Sequence, residues 1–492
     1  MTSDLASDAL DLPEARAARY WLGLAIGVLM LAGFFSLVVV VGRMPPFDRL
    51  VTDPLFFKRG LVVHVNLALV AWFYSFIAAL LFLVPGKRPP SWIAQHSPHM
   101  SAVGVAMLLL SAGLPGGEPV LSNYIPMIDH WLFGAGQILF AAGVLSSFVG
   151  RRLLPASDSR PAFFEIPPAA RIGIRATALG LILAACTFAI SWWRIAPGLP
   201  TETFYELLVW GGGHVLQLTC SVAMVTVWLI LLNSVLGHPP IAERTAKLLF
   251  IAIMLPWTFS PFLAMQGPST SAYRVGFTDL MRWSIFPVVT IFLVLCTRAL
   301  LRARREGRVG VSSLRDPRIS GFLVSAALTL LGFALGAAIR GSNTVVPAHY
   351  HASIGGVTAA FMAFSYLVLA ALGLSIETPR LKRAATWQPV VYGVGQMVFA
   401  AGFAIAGAYG MSRKTYGAEQ ATRGLAESIG LGVMGIGGFI AVLGGVLFLV
   451  VVAVVWRRGA SIQTPTTQNG SERAWRNRWL REIRTESIRF RS

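Results

Sequence analysis

Three cysteines in 492 residues leave no room for a disulfide framework or for a zinc site built from cysteine pairs. Cys186, Cys220 and Cys296 all fall in or at the end of apolar runs, where a thiol is expected as a small core side chain. Charge is equally scarce: 13% of residues are Asp, Glu, Lys or Arg, and the 41 basic residues outnumber the 22 acidic ones. A chain that is 55% hydrophobic with mean hydropathy +0.65 cannot cover its apolar surface with so few charges, so it belongs in a bilayer. The net charge of +19 is expected as decoration of membrane loops, not as a nucleic-acid footprint. Asp4, Asp8, Asp11 and Glu14 precede the first apolar run, and no small-residue cleavage site follows it. That run is expected to be an ordinary first helix and not a removable signal peptide.

Apolar runs long enough to cross, or nearly so, read as Tyr20 to Val41, Leu61 to Val84, Met100 to Leu114, Ile128 to Phe148, Ala176 to Trp193, Phe204 to Leu236, Leu248 to Met265, Met281 to Leu295, Phe322 to Ile339, Val345 to Leu372, Val390 to Tyr409 and Ile429 to Trp456. The expected architecture is an all-α integral membrane bundle of twelve spans over 20–456, with an N-terminal tail over 1–19 and a basic C-terminal tail over 457–492. Loops after even-numbered spans hold 19 Lys and Arg against 10 in loops after odd-numbered spans. Positive charge marks the cytoplasmic side, which puts both termini in the cytoplasm and the chain in an inner, cytoplasmic membrane as a multi-pass protein. In the C-terminal tail, Trp475, Trp479, Leu480 and Ile483 recur at helical spacing among arginines, a pattern for a helix on anionic membrane lipid or for docking a partner subunit.

The eight histidines divide cleanly. His64, His214, His349 and His351 lie inside the second, sixth and tenth spans, all of which run inward from the outer side. His349 and His351 open the segment Val345 to Leu372; two helical residues apart, they differ by about 200° in direction and about 3 Å in depth. They therefore suit two neighbouring metals better than one. His96, His99 and His238 sit on the cytoplasmic side, and His130 is expected to pair with Asp129 at the interface. An imidazole in hydrocarbon needs a partner. With no acid or cysteine beside the four intramembrane histidines, the fitting partner is heme iron, held by neutral imidazole. Arg413 and Lys414, basic residues on the outer side against the inside bias, are candidates to hold heme propionates. Trp210-Gly211-Gly212-Gly213-His214 lets a flat group or a second helix approach the backbone.

These residues resemble subunit I of the heme-copper oxidases, a family that includes the nitric oxide reductases, over essentially the whole chain. The resemblance rests on histidines in the second, sixth and tenth spans, on Val345-Val346-Pro347-Ala348-His349-Tyr350-His351, on Gly410-Met411-Ser412-Arg413-Lys414, and on Asn123-Tyr124-Ile125-Pro126. It implies that His64 and His351 clamp a low-spin heme, that His349 ligates a high-spin heme, that His214 is the one surviving ligand of a non-heme metal, and that Arg413 and Lys414 hold propionates. The sequence departs from the family where the seventh span reads Pro256-Trp257-Thr258-Phe259-Ser260-Pro261-Phe262-Leu263 without the usual histidine pair. Leu216 and Leu218 stand where an acid or a redox tyrosine is usual. The resemblance thus implies two hemes, with copper or non-heme iron in doubt.

The activity so implied is transfer of electrons from an outer-side donor, a cytochrome c or cupredoxin-type protein acting through a subunit II-like partner, to a high-spin heme that reduces O2 or NO. His349 and His214 are the candidate catalytic residues. Two other classes stay open: a non-catalytic heme relative serving as sensor, electron-transfer or assembly partner, and a twelve-helix secondary transporter. The transporter expects related halves, and none is evident between Met1 to Ala246 and the remainder.

Overall fold

The computed structural model describes residues 12–41, 44, 54–86, 88–148, 162–310, 313, 315–414 and 424–462. In chain order the helices are α1 (Pro13–Val41), α2 (Leu55–Phe82), α3 (Trp92–Gly113), α4 (Trp131–Ser146), α5 (Pro168–Arg194), α6 (Thr201–Leu236), α7 (Glu243–Met265), α8 (Ser271–Arg305), α9 (Pro317–Ala338), α10 (Val345–Ala371), α11 (Pro379–Ala408) and α12 (Leu425–Ile462). Between α3 and α4 lies a short antiparallel hairpin, β1 (Glu118–Val120) and β2 (Met127–Asp129). Ten of the twelve helices are long and apolar enough to cross a membrane. The other two are α3, which opens on the polar stretch Gln95-His96-Ser97-Pro98-His99, and α4, which has 16 residues. The expected twelve spans are therefore ten clear ones plus a packed α3–α4 pair. The stretch 463–492, with its expected amphipathic helix, lies outside the described residues.

Several helices start before their apolar runs do, because charged residues join their first turns. α2 begins at Leu55, which places His64 well inside the helix instead of about one turn in, as the run from Leu61 implied. Lys58 and Arg59 fall within it; the Arg59 guanidinium donates to the carbonyls of Ala112 (3.3 Å), Leu114 (3.0 Å) and Gly117 at the end of α3. The first two are carbonyls at the helix end, of the kind a terminus otherwise leaves unpaired, and Gly117 lies in the turn beyond. α8 likewise begins at Ser271, ten residues before Met281, and so carries Tyr273 and Phe277 into the bundle, both fully buried.

Sequential helices pack as antiparallel pairs, α5 with α6, α9 with α10 and α11 with α12. In the last pair the backbones touch: a Cβ on Gly395 would lie 2.2 Å from the Ala441 nitrogen, and one on Gly402 2.2 Å from the Met434 nitrogen. Bare glycine seams of this kind are how membrane helices gain van der Waals contact where lipid offers no hydrophobic drive. At the centre, α2 meets α10 through the stacked rings of Phe76 and Phe361, 4.0 Å apart. The Trp228 indole of α6 donates to Ser325 of α9 (2.8 Å), which donates in turn to the Gly356 carbonyl of α10 (2.6 Å). The three histidine-bearing helices α2, α6 and α10 thus share one core.

Candidate functional site

Three of the four intramembrane histidines, His64, His214 and His349, are aimed by a backbone carbonyl. The Nδ1 of His64 donates to the Ala32 carbonyl of α1 at 3.0 Å, and Nδ1 of His349 donates to the Gly332 carbonyl of α9 at 2.7 Å. A carbonyl can only accept, so each Nδ1 carries the proton and each Nε2 is left with its lone pair. Among the described residues neither Nε2 meets a hydrogen-bond partner. An Nδ1–H held by a carbonyl is the usual support for an imidazole that ligates through Nε2. Both donor sites are locally shaped by the chain. Directly after His64, α2 widens into a π-helical stretch, Asn66–Ala71, of the sort found at functional positions. The His349 ring lies on Gly336, where a Cβ would come within 2.8 Å of Nδ1.

His351 turns away from His349, as their spacing requires, and packs against Phe399 and Phe403 of α11 with ring centroids 4.6 and 6.0 Å away. Phe399 in turn shares the surface of Gly438 with Val40 of α1. The two ring nitrogens presented by His64 and His349 are of the kind that ligate heme iron.

His214 is different. Its Nδ1 donates to the Trp210 carbonyl one turn back at 2.7 Å, and its Nε2 accepts from the Tyr124 hydroxyl at 2.8 Å. Both nitrogens are committed. The ring is fully buried among Tyr124, Trp210 and Phe277, whose rings lie 4.6, 4.9 and 6.0 Å from it. Room for the phenol comes from Gly213, where a Cβ would fall 2.5 Å from Tyr124 Cβ. One residue beyond Trp210, the Tyr273 hydroxyl enters the helix ladder, accepting from the Gly211 amide (2.9 Å) and donating to the Leu207 carbonyl (3.1 Å). It thereby fixes the turn that carries His214.

Tyr124 has φ +66°, the only non-glycine positive φ among the described residues. Burial, and the neighbouring Glu206 carboxylate, push its phenol well above the usual tyrosine range. The adjacent Asn123 gives its amide to Glu206 Oε2 at 2.9 Å and its side-chain NH2 to Glu206 Oε1. Its carbonyl oxygen receives Arg413 Nη1 at 3.0 Å, while Arg413 Nε donates to Ser342 at 3.1 Å. Two residues beyond Tyr124, the Pro126 carbonyl receives Asn66 of α2 at 2.7 Å. The loop Ser122–Pro126 therefore touches the helix of His64, the ring of His214 and the side chain of Arg413. Lys414 is exposed beside it.

The donor set does not fit a non-heme metal. No group of three or more His, Cys, Asp or Glu side chains able to hold a metal occurs among the described residues, and His214 offers no free nitrogen. The nearby Cys220 gives its thiol to the Tyr74 hydroxyl at 3.3 Å. Two smaller expectations also change. His130 does not pair with Asp129: its Nδ1 caps α4 by accepting from the Leu132 amide at 3.2 Å, and Asp129 receives the Tyr205 hydroxyl at 2.8 Å. Cys186 is exposed on the bundle surface, whereas Cys220 and Cys296 are buried. In the sequence Tyr124 stands out only within the Asn123–Pro126 motif, with no role of its own, and Tyr273 and Phe277 lie ahead of the apolar run that marks α8 and carry no signal.

No family profile matches the chain. It is 26% identical to an uncharacterized protein of Rickettsia prowazekii (strain Madrid E), over 88% of this chain and 94% of that one. It is 27% identical to an uncharacterized protein of Aquifex aeolicus (strain VF5), over 72% of this chain and 84% of that one. Among solved structures it superposes on a heme-copper terminal oxidase, determined by cryo-EM as a dimer, with TM-score 0.68 and 16% identity over 92% of this chain and 85% of that one. The chain is a multi-pass, all-α membrane protein with the heme-copper oxidase fold.

Proposed function

We propose that this chain is a membrane heme oxidoreductase in which His64 and His351 hold a low-spin heme and His349 holds a high-spin heme that reduces O2 or NO. The observation that carries the reading is the pair of carbonyl-fixed imidazoles: Nδ1 of His64 on Ala32 and Nδ1 of His349 on Gly332 leave both Nε2 atoms presented as donors. When bound, heme supplies the one-electron chemistry and the iron site for a diatomic ligand. The protein supplies orientation. Carbonyls fix the rings of His64 and His349, the π-helical stretch after His64 sets the pitch of α2, and the rings of Tyr124, Trp210 and Phe277 pack around the buried His214. Arg413, held by Asn123 and Ser342, provides a cation for propionates together with exposed Lys414. Electrons come from an outer-side cytochrome c or cupredoxin-type donor through a subunit II-like partner, in an inner membrane with both termini cytoplasmic.

The donor set at His214 favours chemistry that does not run through a three-histidine copper centre. A second reading, a non-catalytic heme protein of the same fold, draws on the same observation. Turnover of O2 or NO by the purified, heme-loaded chain with an artificial reductant separates the two. Reduction at a rate above that of free heme supports the enzyme, and heme loading without turnover supports the sensor or electron-transfer role.

A further inference from the structure

Two histidines that the heme reading leaves unused stand side by side on α3. His96 and His99 lie in its first two turns, three residues apart, a spacing that sets two side chains on one helix face about 60° and about 4.5 Å apart. Their ring centroids are 5.9 Å apart with 37° between the planes, and both residues are exposed. The rings are held. Nδ1 of His96 donates to the Trp92 carbonyl at 2.9 Å, which keeps the proton on Nδ1 and a lone pair on Nε2, the support commonly given to a metal-ligating imidazole. The Trp92 indole stacks on the same ring with centroids 4.5 Å apart, and Tyr20 of α1 packs on His99 at 5.2 Å. The helix entry beneath them is pinned as well: Ser91 Oγ accepts from the Ala94 amide (3.2 Å), and the Gln95 side chain donates to the Pro90 carbonyl (2.8 Å). Two imidazoles on one ion, each with about 2.0–2.1 Å from metal to nitrogen, have ring centres about 5–6 Å apart. The observed separation falls in that range.

We propose that His96 and His99 together bind one zinc-class divalent ion where the first turns of α3 meet α1. Neutral imidazole suits Zn2+ and its neighbours in the first transition row, whereas Mg2+ and Ca2+ require oxygen ligands. Two protein ligands leave two of the four tetrahedral positions to water, so the bound ion exchanges with free zinc, unlike a closed structural centre. The ion joins the two sides of Pro98, which lies inside α3 and whose missing amide leaves the Ala94 carbonyl without its helical donor. Ser97 fills that place, donating to Ala94 at 2.7 Å, and itself accepts from the Trp21 indole of α1 at 3.2 Å. A clamp from His96 to His99 therefore spans the residue that ties α3 to α1, and it braces that junction. The site is separate from the proposed heme ligands: His64 meets α1 at Ala32, twelve residues or about 18 Å along the helix from Tyr20. It stands whether or not the chain carries heme.

The test uses the full chain in lipid nanodiscs, stripped of exchangeable metal with a chelator. Equilibrium dialysis against radioactive zinc should show saturable binding of one ion per chain, and zinc-edge X-ray absorption of the one-to-one complex should show two imidazoles. Loss of a supporting hydrogen bond alone costs a metal site about 10–100-fold in affinity. Loss of a ligand, in His96→Asn or in His99→Asn, should therefore lower zinc affinity by about a hundredfold or more. His238→Asn, which alters an exposed histidine at the end of α6, should bind zinc as the parent does. Because an ion that binds only the folded chain stabilises it, zinc should also raise the unfolding temperature of the parent and leave that of the double variant unchanged. Absence of saturable binding, a parent complex with a single imidazole, or unchanged affinity in either single variant would overturn the proposal. The X-ray absorption measurement needs only the parent chain, so it decides the matter even where a variant folds poorly.

Discussion

The Tyr124 hydroxyl lies 2.8 Å from Nε2 of His214, so the remaining donor atom of this intramembrane histidine is occupied by a residue from a different part of the chain. Tyr124→Phe removes that donor and leaves a buried nitrogen unpaired, which should destabilise the folded protein by about 1–3 kcal/mol. Reversible unfolding in mixed micelles measures this, and an unchanged stability would mean the bond contributes nothing.

Tyr124 also sets a pH dependence. Its phenol is held above the ordinary tyrosine value of about 10, by burial first and by Glu206 second. Above pH 10 the unfolded chain releases this proton while the folded chain keeps it, so the group's share of stability is full below that value and falls as pH rises past it. Tyr124→Phe should flatten this alkaline loss relative to the parent protein. Equal slopes in the two proteins would contradict the assignment.

For the low-spin site, His64→Ala and His351→Ala should each abolish the low-spin heme signal, because bis-histidine iron needs both axial ligands. The high-spin signal should partly survive in both variants and be lost in His349→Ala. Retention of a wild-type low-spin spectrum in both of the first two variants sinks the pairing.

Replacing Arg413 and Lys414 together by Gln should lower heme occupancy or shift the midpoint potential, since a cation pair is matched by propionate carboxylates. Arg413→Gln alone also frees Asn123 on one side and should loosen the Tyr124 loop. If neither occupancy nor potential moves, the two residues are surface charges.

Copper should be absent in stoichiometric amount. Its affinity depends on the number and geometry of imidazoles, and here α7 contains none while His214 is fully bonded. Metal analysis of the purified chain checks this. One copper per chain, lost in His214→Ala together with rapid oxygen consumption, would contradict it.

The placement of His64, His214, His349 and His351 on α2, α6 and α10 was legible because an intramembrane histidine stands out against apolar neighbours, and the bounds of α10 agree with its apolar run to within a residue. Residues joined by tertiary contact were not legible. Tyr273 and Phe277 lie next to Arg274 and Asp279, whose charges broke the hydropathy signal of α8. Lys58 and Arg59 did the same for α2; Arg59 is tolerated because it finds α3 carbonyls. The Tyr124–His214 bond spans 90 residues of sequence and depends on a positive φ that no tyrosine advertises. Tripled glycine before His214 was the one local sign that something would pack there, and that something is a phenol.

The most direct test of the central claim is the reduced-minus-oxidised visible spectrum of the purified chain, with heme quantified as the pyridine hemochrome. Two hemes, one low-spin and one high-spin, are expected, with no copper signal. A chain purified in folded form from heme-sufficient cells that takes up no heme would contradict the account.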